Sequence, residues 1–159
     1  MAVYDEKLLH EVNESAEKFS KSLIELASFA EDNFSQIVRK AVFDLFSSIV
    51  RRSPVDTGTY RASHGIANHN PSDNEGIVHC AKDKSEASMS EHIAETKVQA
   101  WTWRVGDGTI FIFNNLPYAE PLENGHSGQA PAGVYRQAMA EVEGFINKQI
   151  AALKSEIFT

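Results

Sequence analysis

Between residues 34 and 52 apolar side chains return every three or four positions: Ile37, Val38, Ala41, Val42, Leu45, Phe46, Ile49 and Val50. That spacing gathers them on one wide face of a helix, which must lie on a core. Arg51 and Arg52 fall in the last turn, where positive charge suits the helix dipole. Pro54 stops the helix, because the residue before a proline avoids the α region. An earlier helix is expected over residues 5–31, where Leu8, Leu9, Val12, Ala16, Phe19, Leu23, Leu26, Ala27 and Ala30 recur at the same steps. Asp5 is placed to cap it. The many Ser and Glu residues in between imply a helix exposed over much of its surface, or one with a break.

The pattern then changes period. Residues 53–58, Ser-Pro-Val-Asp-Thr-Gly, carry turn chemistry: proline fixes φ, Asp56 can bond its own backbone and Gly58 permits a positive φ. Tyr60, Ala62, His64 and Ile66 alternate with Thr59, Arg61, Ser63 and Gly65, which predicts a half-buried strand over residues 59–67. Residues 68–76 read as a loop and 77–80 as a short second strand. A helix is expected over 85–99, with Ser88 and Glu91 at capping-box spacing and Met89, Ile93 and Ala94 facing inward. Trp101, Trp103 and Val105, then Gly106-Asp107-Gly108, then the apolar run 109–113 predict a β-hairpin with a three-residue loop. Ile110 to Phe113 is apolar on both faces, so one face meets the helices and the other needs a cover, such as another chain.

A last helix is expected from Pro131 onward, its stripe formed by Val134, Ala138, Val142, Phe145, Ile146, Ile150 and Leu153. The succession helices, strands, helix, strands, helix predicts an α+β fold. Helices pack on a mainly antiparallel sheet, in a single domain over 1–159 with a helical extension at 1–32 and a core at 33–155.

Composition adds exclusions. A chain of 159 residues can bury roughly 70% of its unfolded surface without staples. Its one cysteine, Cys80, rules out an internal disulfide, fits a reducing compartment and suits a small buried apolar role. No run of about 18 apolar residues is present, and the acidic start lacks a leader's pattern, so synthesis in a cytoplasm and no membrane are expected. The net charge of −7 and the scattered basic residues argue against tight nucleic-acid binding.

The richest stretch is residues 114–131, NNLPYAEPLENGHSGQAP. His126 and Ser127 are adjacent, but a nucleophile and its base need a third group and a spatial approach that neighbours in a glycine-flanked loop do not supply. Glu120 and Glu123 have the spacing of a solvated helical turn. His64, His69 and His79 with Cys80 fall close together, yet no pair shows the companion spacing of a zinc site. They support, as an alternative, a small metal-dependent hydrolase using the three histidines. Gly106-Asp107-Gly108 leads into a strand rather than a helix, so it is no phosphate loop. No cofactor is expected. What remains is a loop of strong shape: Leu116-Pro117 forces an extended step, Tyr118 to Glu123 makes one helical turn, and Asn124-Gly125 ends it left-handed. Tyr118 and Leu122 are anchors of the kind found at protein interfaces.

Two segments resemble the neck and tail-completion proteins of long-tailed bacteriophages. They are SPVDTGTYRAS at 53–63, after a helix ending Val50-Arg51-Arg52, and TIFIFNNLPYAEPLENGHSGQAPAG at 109–133. The family's P-V-D-T-G step with an arginine-bearing strand is matched at Pro54, Val55, Asp56, Thr57, Gly58 and Arg61. Its second block is matched at Asn114, Asn115, Pro117, Tyr118, Ala119, Leu122, Glu123, Gly125, Ser127, Gln129, Ala130, Pro131 and Gly133. The likeness covers roughly residues 33–140. His64 stands where the family pattern has tryptophan, and His126 where it often has an aromatic residue.

The resemblance implies a non-enzymatic structural virion protein of the neck or upper tail. It would form a ring of identical chains, expected to be hexameric, at the head–tail junction, acting in neck or tail completion or as tail-tube terminator. Its partners are then further copies of itself, the tail-tube proteins and the head-connector proteins, with DNA passing through unbound. The expected interface residues are Leu116, Pro117, Tyr118, Leu122, Glu123, Gly125 and Gln129. Pro54, Asp56, Thr57, Gly58 and Arg61 are expected to fix the turn that presents the first strand, through an Asp56–Arg61 contact. Such a ring requires one patch to meet a different patch on the next subunit until it closes. Six chains of −7 would carry about −42, an acidic lining that would not grip passing phosphates.

Overall fold

The computed structural model describes residues 6–80 and 84–157. Its spine is one helix, α1 (Glu6–Arg52), about 70 Å long at 1.5 Å per residue. The two helices expected at 5–31 and 34–52 are therefore continuous. No glycine or proline interrupts the segment, and Glu31-Asp32-Asn33 fills an exposed turn without breaking it. Asp5, the expected cap, lies outside the described residues.

Only the C-terminal half of α1 is embedded. It presents two apolar faces to two clusters. Leu45 and Ile49 join Tyr60, Leu116, Ala130, Val134 and Ala138. Phe46 and Val50 join Ala94 and Val98 from α3 (Lys84–Ala100). Ile112 touches both clusters. Residues 17–32 of α1 are exposed, with Phe19 (65% exposed), Leu23, Ile24, Leu26 and Phe29 facing outward.

The sheet is much smaller than the pattern suggested. Residues 59–67 are not one strand: α2 (Thr59–Ala62) makes a helical turn, and only Gly65–Ala67 is extended, as β1. A short alternation cannot separate a strand from a turn that buries Tyr60 and Ala62, and the Ala62 N–H closes the turn on Gly58 O at 2.9 Å. β1 pairs antiparallel with β2 (Phe111–Phe113), in the register Gly65 to Phe113, Ile66 to Ile112 and Ala67 to Phe111. These two strands are the whole sheet among the described residues, so the molecule is helix-rich with a two-stranded antiparallel ribbon.

The expected hairpin over 101–113 does not form. Its turn exists, with Asp107 accepting from Arg104 N–H at 2.8 Å, but β2 leaves it to pair with β1. Trp103 is buried against Phe34, and Trp101 donates to Asn68 Oδ1 at 2.7 Å. Residues 77–80 form no strand either. Two hydroxyls replace the ladder: Ser63 Oγ bonds both N–H and C=O of Val78, and Thr59 Oγ1 does so for Cys80. α3 contains Ser88 in its interior, so the capping box does not mark its start, and Met89 faces solvent.

After α4 (Ala119–Glu123), the closing helix is divided into α5 (Tyr135–Met139) and α6 (Val142–Ile157). The break lies at Ala140–Glu141, where the Glu141 carboxylate turns to Ser48 and Arg52. α6 runs back antiparallel along α1: Lys148 and Gln149 both donate to Asp44, each at 2.9 Å. Among the described residues no helix is long and apolar enough to cross a membrane.

Candidate functional site

The two motifs, more than fifty residues apart in sequence, meet at one place. The Gln129 side chain pairs with the backbone of Val55 as a strand neighbour would. Gln129 Oε1 accepts from Val55 N–H at 3.0 Å, and Gln129 Nε2 donates to Val55 O at 3.2 Å. Beside this clasp lies a pocket of about 220 Å³ between the Pro54–Tyr60 turn and the 118–129 loop. Tyr60 and Tyr118, ring centroids 6.4 Å apart, line it together with Leu122, Gln129, Asp56 and Thr57. Tyr118 is 43% exposed. Pro117 and Gln129 are exposed as well.

The loop is held in shape from inside. Glu123 sends its carboxylate inward, accepting from Val134 N–H (2.8 Å), Tyr135 N–H (2.9 Å) and Arg136 N–H (2.8 Å). Burial alone would raise the Glu123 pKa, but the three backbone bonds outweigh it and hold the carboxyl below its ordinary range. Gly125 and Gly133 close the loop on itself at φ 85° and 80°. A Cβ on Gly125 would lie 2.5 Å from Pro131 O, and one on Gly133 2.6 Å from Glu123 O. Asn114 donates to Tyr60 O at 2.8 Å, and Asn115 to Ser72 O at 2.7 Å, so the paired asparagines tie the strand end to two other loops.

Beneath the clasp sits His64, fully buried. One assignment of protons satisfies the chain of bonds: the Tyr135 hydroxyl donates to Nδ1 (2.8 Å), Nε2–H donates to Ser53 Oγ (2.6 Å), and Ser53 donates to Ile49 O (2.8 Å). Burial, then the nearby Lys97 and Arg61 charges, push the His64 pKa down to about 3, so the ring is neutral. Burial also holds the Tyr60 and Tyr135 phenols above their ordinary value, so both keep their protons. The Tyr60 hydroxyl is buried and meets no hydrogen-bond partner among the described residues.

Of the expected interface residues, the structure leaves Pro117, Tyr118 and Gln129 on the surface and Leu122 half-buried at the pocket. It gives the others internal work: Leu116 lies in the core, Glu123 caps α5 and Gly125 shapes the loop. The expected Asp56–Arg61 contact is not made. Arg61 instead donates to Ser53 O at 3.0 Å and approaches Glu91 at 3.9 Å. His64, His69 and His79 are not brought together: His64 is sealed under the clasp, His69 bonds Glu75 at 3.0 Å and His79 is exposed. Among the described residues no three His, Cys, Asp or Glu side chains converge to hold a metal.

Lys97 had no signal in the sequence. Its Nζ donates to three carbonyls, Ala62 (2.8 Å), His64 (3.1 Å) and Gly76 (2.9 Å), which pins α3 to the motif region. Burial lowers its pKa. Compared with known proteins the chain stands apart: no family model, no curated protein and no solved structure matches it.

Proposed function

We propose that this chain is a structural protein of a long-tailed phage virion, working by assembly at the head–tail junction as a neck or tail-completion component. The observation that carries the reading is the union of the two motifs. Gln129 clasps Val55, and the joined segments present Pro117, Tyr118 and Gln129 to solvent around one pocket. Three groups capable of chemistry in this region are spent on the fold: Glu123 caps a helix, His64 is sealed with both ring nitrogens bonded, and Lys97 holds three carbonyls.

A second feature supports assembly. The free half of α1 carries Phe19, Leu23 and Leu26 on the outside of the body, a cost in water that contact with other chains removes. A ring of like chains in the neck, met by tail-tube and head-connector proteins and with an acidic lumen for DNA, is the assembly this reading favours.

Complementation of a phage lacking the protein tests it. Tyr118→Ala should yield a folded chain that fails to join heads to tails. Unchanged yield of infectious particles would count against the reading.

A further inference from the structure

The pocket at the clasp has a charge without a counterpart. Asp56 stands at its rim, exposed, and its carboxylate meets no cation and no hydrogen-bond donor among the described residues. Arg61, the basic residue of the same motif, is committed to Ser53 O and Glu91. The same pocket is lined by two tyrosines, Tyr118 half-exposed and Tyr60 buried, their rings in a tilted pair.

A carboxylate and tyrosine rings lining one pocket are the groups that hold a cationic side chain. The ring faces attract positive charge through their quadrupole, and the carboxylate accepts its N–H groups. An acidic ligand would meet Asp56 with like charge. A purely apolar one would cover the Asp56 carboxylate without answering it, at a cost. The volume of about 220 Å³ suits one long side chain rather than a whole cofactor.

We propose that this pocket is a receptor for a single arginine or lysine side chain presented by a partner protein. Asp56 pairs with its charge, and Tyr118 and Tyr60 pack on its stem and head. The inference rests on the reading of this surface as an interface only for the source of the side chain; the pocket's preference is a property of the chain alone.

The test is titration of the isotope-labelled full-length chain, followed by NMR, with N-acetyl-arginine amide and N-acetyl-lysine amide, and N-acetyl-leucine amide as the control. The basic amides should shift the Gln129 side-chain amide and the Tyr118 ring saturably at millimolar concentrations, and the leucine amide should not. Asp56→Asn, a substitution on an exposed rim that leaves the fold intact, should weaken binding about tenfold or more. Added salt should weaken it in the wild type and much less in Asp56→Asn. Absence of a saturable shift with either basic amide would overturn the proposal. So would equal binding by Asp56→Asn, or preference for the leucine amide. These results are independent of the virion assay: a pocket that binds basic amides in a chain dispensable for phage assembly would retain this inference and remove the neck reading.

Discussion

Gln129 and Val55 are joined by two hydrogen bonds that imitate one rung of a β-ladder, a side-chain amide standing in for a backbone. This rung is the direct polar link between the turn after α1 and the loop before α5. Removing it should therefore loosen the loop against the turn while sparing the core, where Asn114 still bonds Tyr60 O.

Gln129→Ala should cost less than about 1 kcal/mol of stability, because both bonds lie at the surface and water replaces them. Its effect on assembly should be far larger, since the loop is no longer fixed against the turn. Thermal unfolding compared with complementation of a deficient phage separates the two. Equal, small effects in both assays would show that the clasp has no part in assembly.

Glu123 should behave as a structural residue. Glu123→Ala leaves three N–H groups of α5 without an acceptor and should lower stability by about 1–3 kcal/mol, read from urea denaturation. The Glu123 pKa is held down in the fold, so its stabilisation is complete above the ordinary carboxyl range and is lost as pH falls from that range through the lowered folded value. The variant should show a correspondingly weaker acid dependence below about pH 4.5.

His64 makes a separate prediction at milder pH. The folded ring titrates at about 3, whereas an unfolded chain takes up the proton near the ordinary value of 6.5. The unfolded state therefore binds more protons between these limits, and stability falls as pH drops from 6.5 towards 3, by up to about 1.4 kcal/mol per pH unit. His64→Leu should be less stable at pH 7, with the Tyr135 hydroxyl left without its acceptor and Ser53 Oγ without its donor, yet flatter between pH 6.5 and 4.5. Parallel curves for the two proteins would show that His64 is not the source.

Gly133→Ala should destabilise by more than about 2 kcal/mol. The residue sits at φ 80°, and the new methyl group would press on the Glu123 carbonyl and carboxylate. Gly128→Ala, with nothing within 4 Å of the added carbon, is the matched control and should be nearly silent. Circular dichroism melts of both variants suffice.

How far these features could be read beforehand depended on the range of the contacts involved. Ile37 to Val50 announced their helix because a stripe at period 3.6 is a local property, and it proved to be the buried half of α1. Tyr118 to Gly125 likewise gave its turn and its left-handed end, because glycine and proline act on their own backbone. The strands were misjudged where pairing is distant. Phe111–Phe113 has the composition of a hairpin arm, but its partner is Gly65–Ala67 rather than the adjacent tryptophans. Ser63 and Thr59 gave no hint that their hydroxyls serve residues 78 and 80. Glu123 was expected on an interface because a glutamate in a polar loop ordinarily faces water; its three N–H partners lie eleven to thirteen residues later. Nothing in either stretch named the bond between Gln129 and Val55, because it joins segments distant in the chain.

The most direct measurement is an electron-microscopy reconstruction of the intact phage neck at side-chain resolution. The account predicts copies of this chain at the head–tail junction, with the surface around Tyr118, Gln129 and Asp56 covered by a neighbouring chain. A neck without this chain, or one in which that surface faces open solvent on every copy, would contradict it.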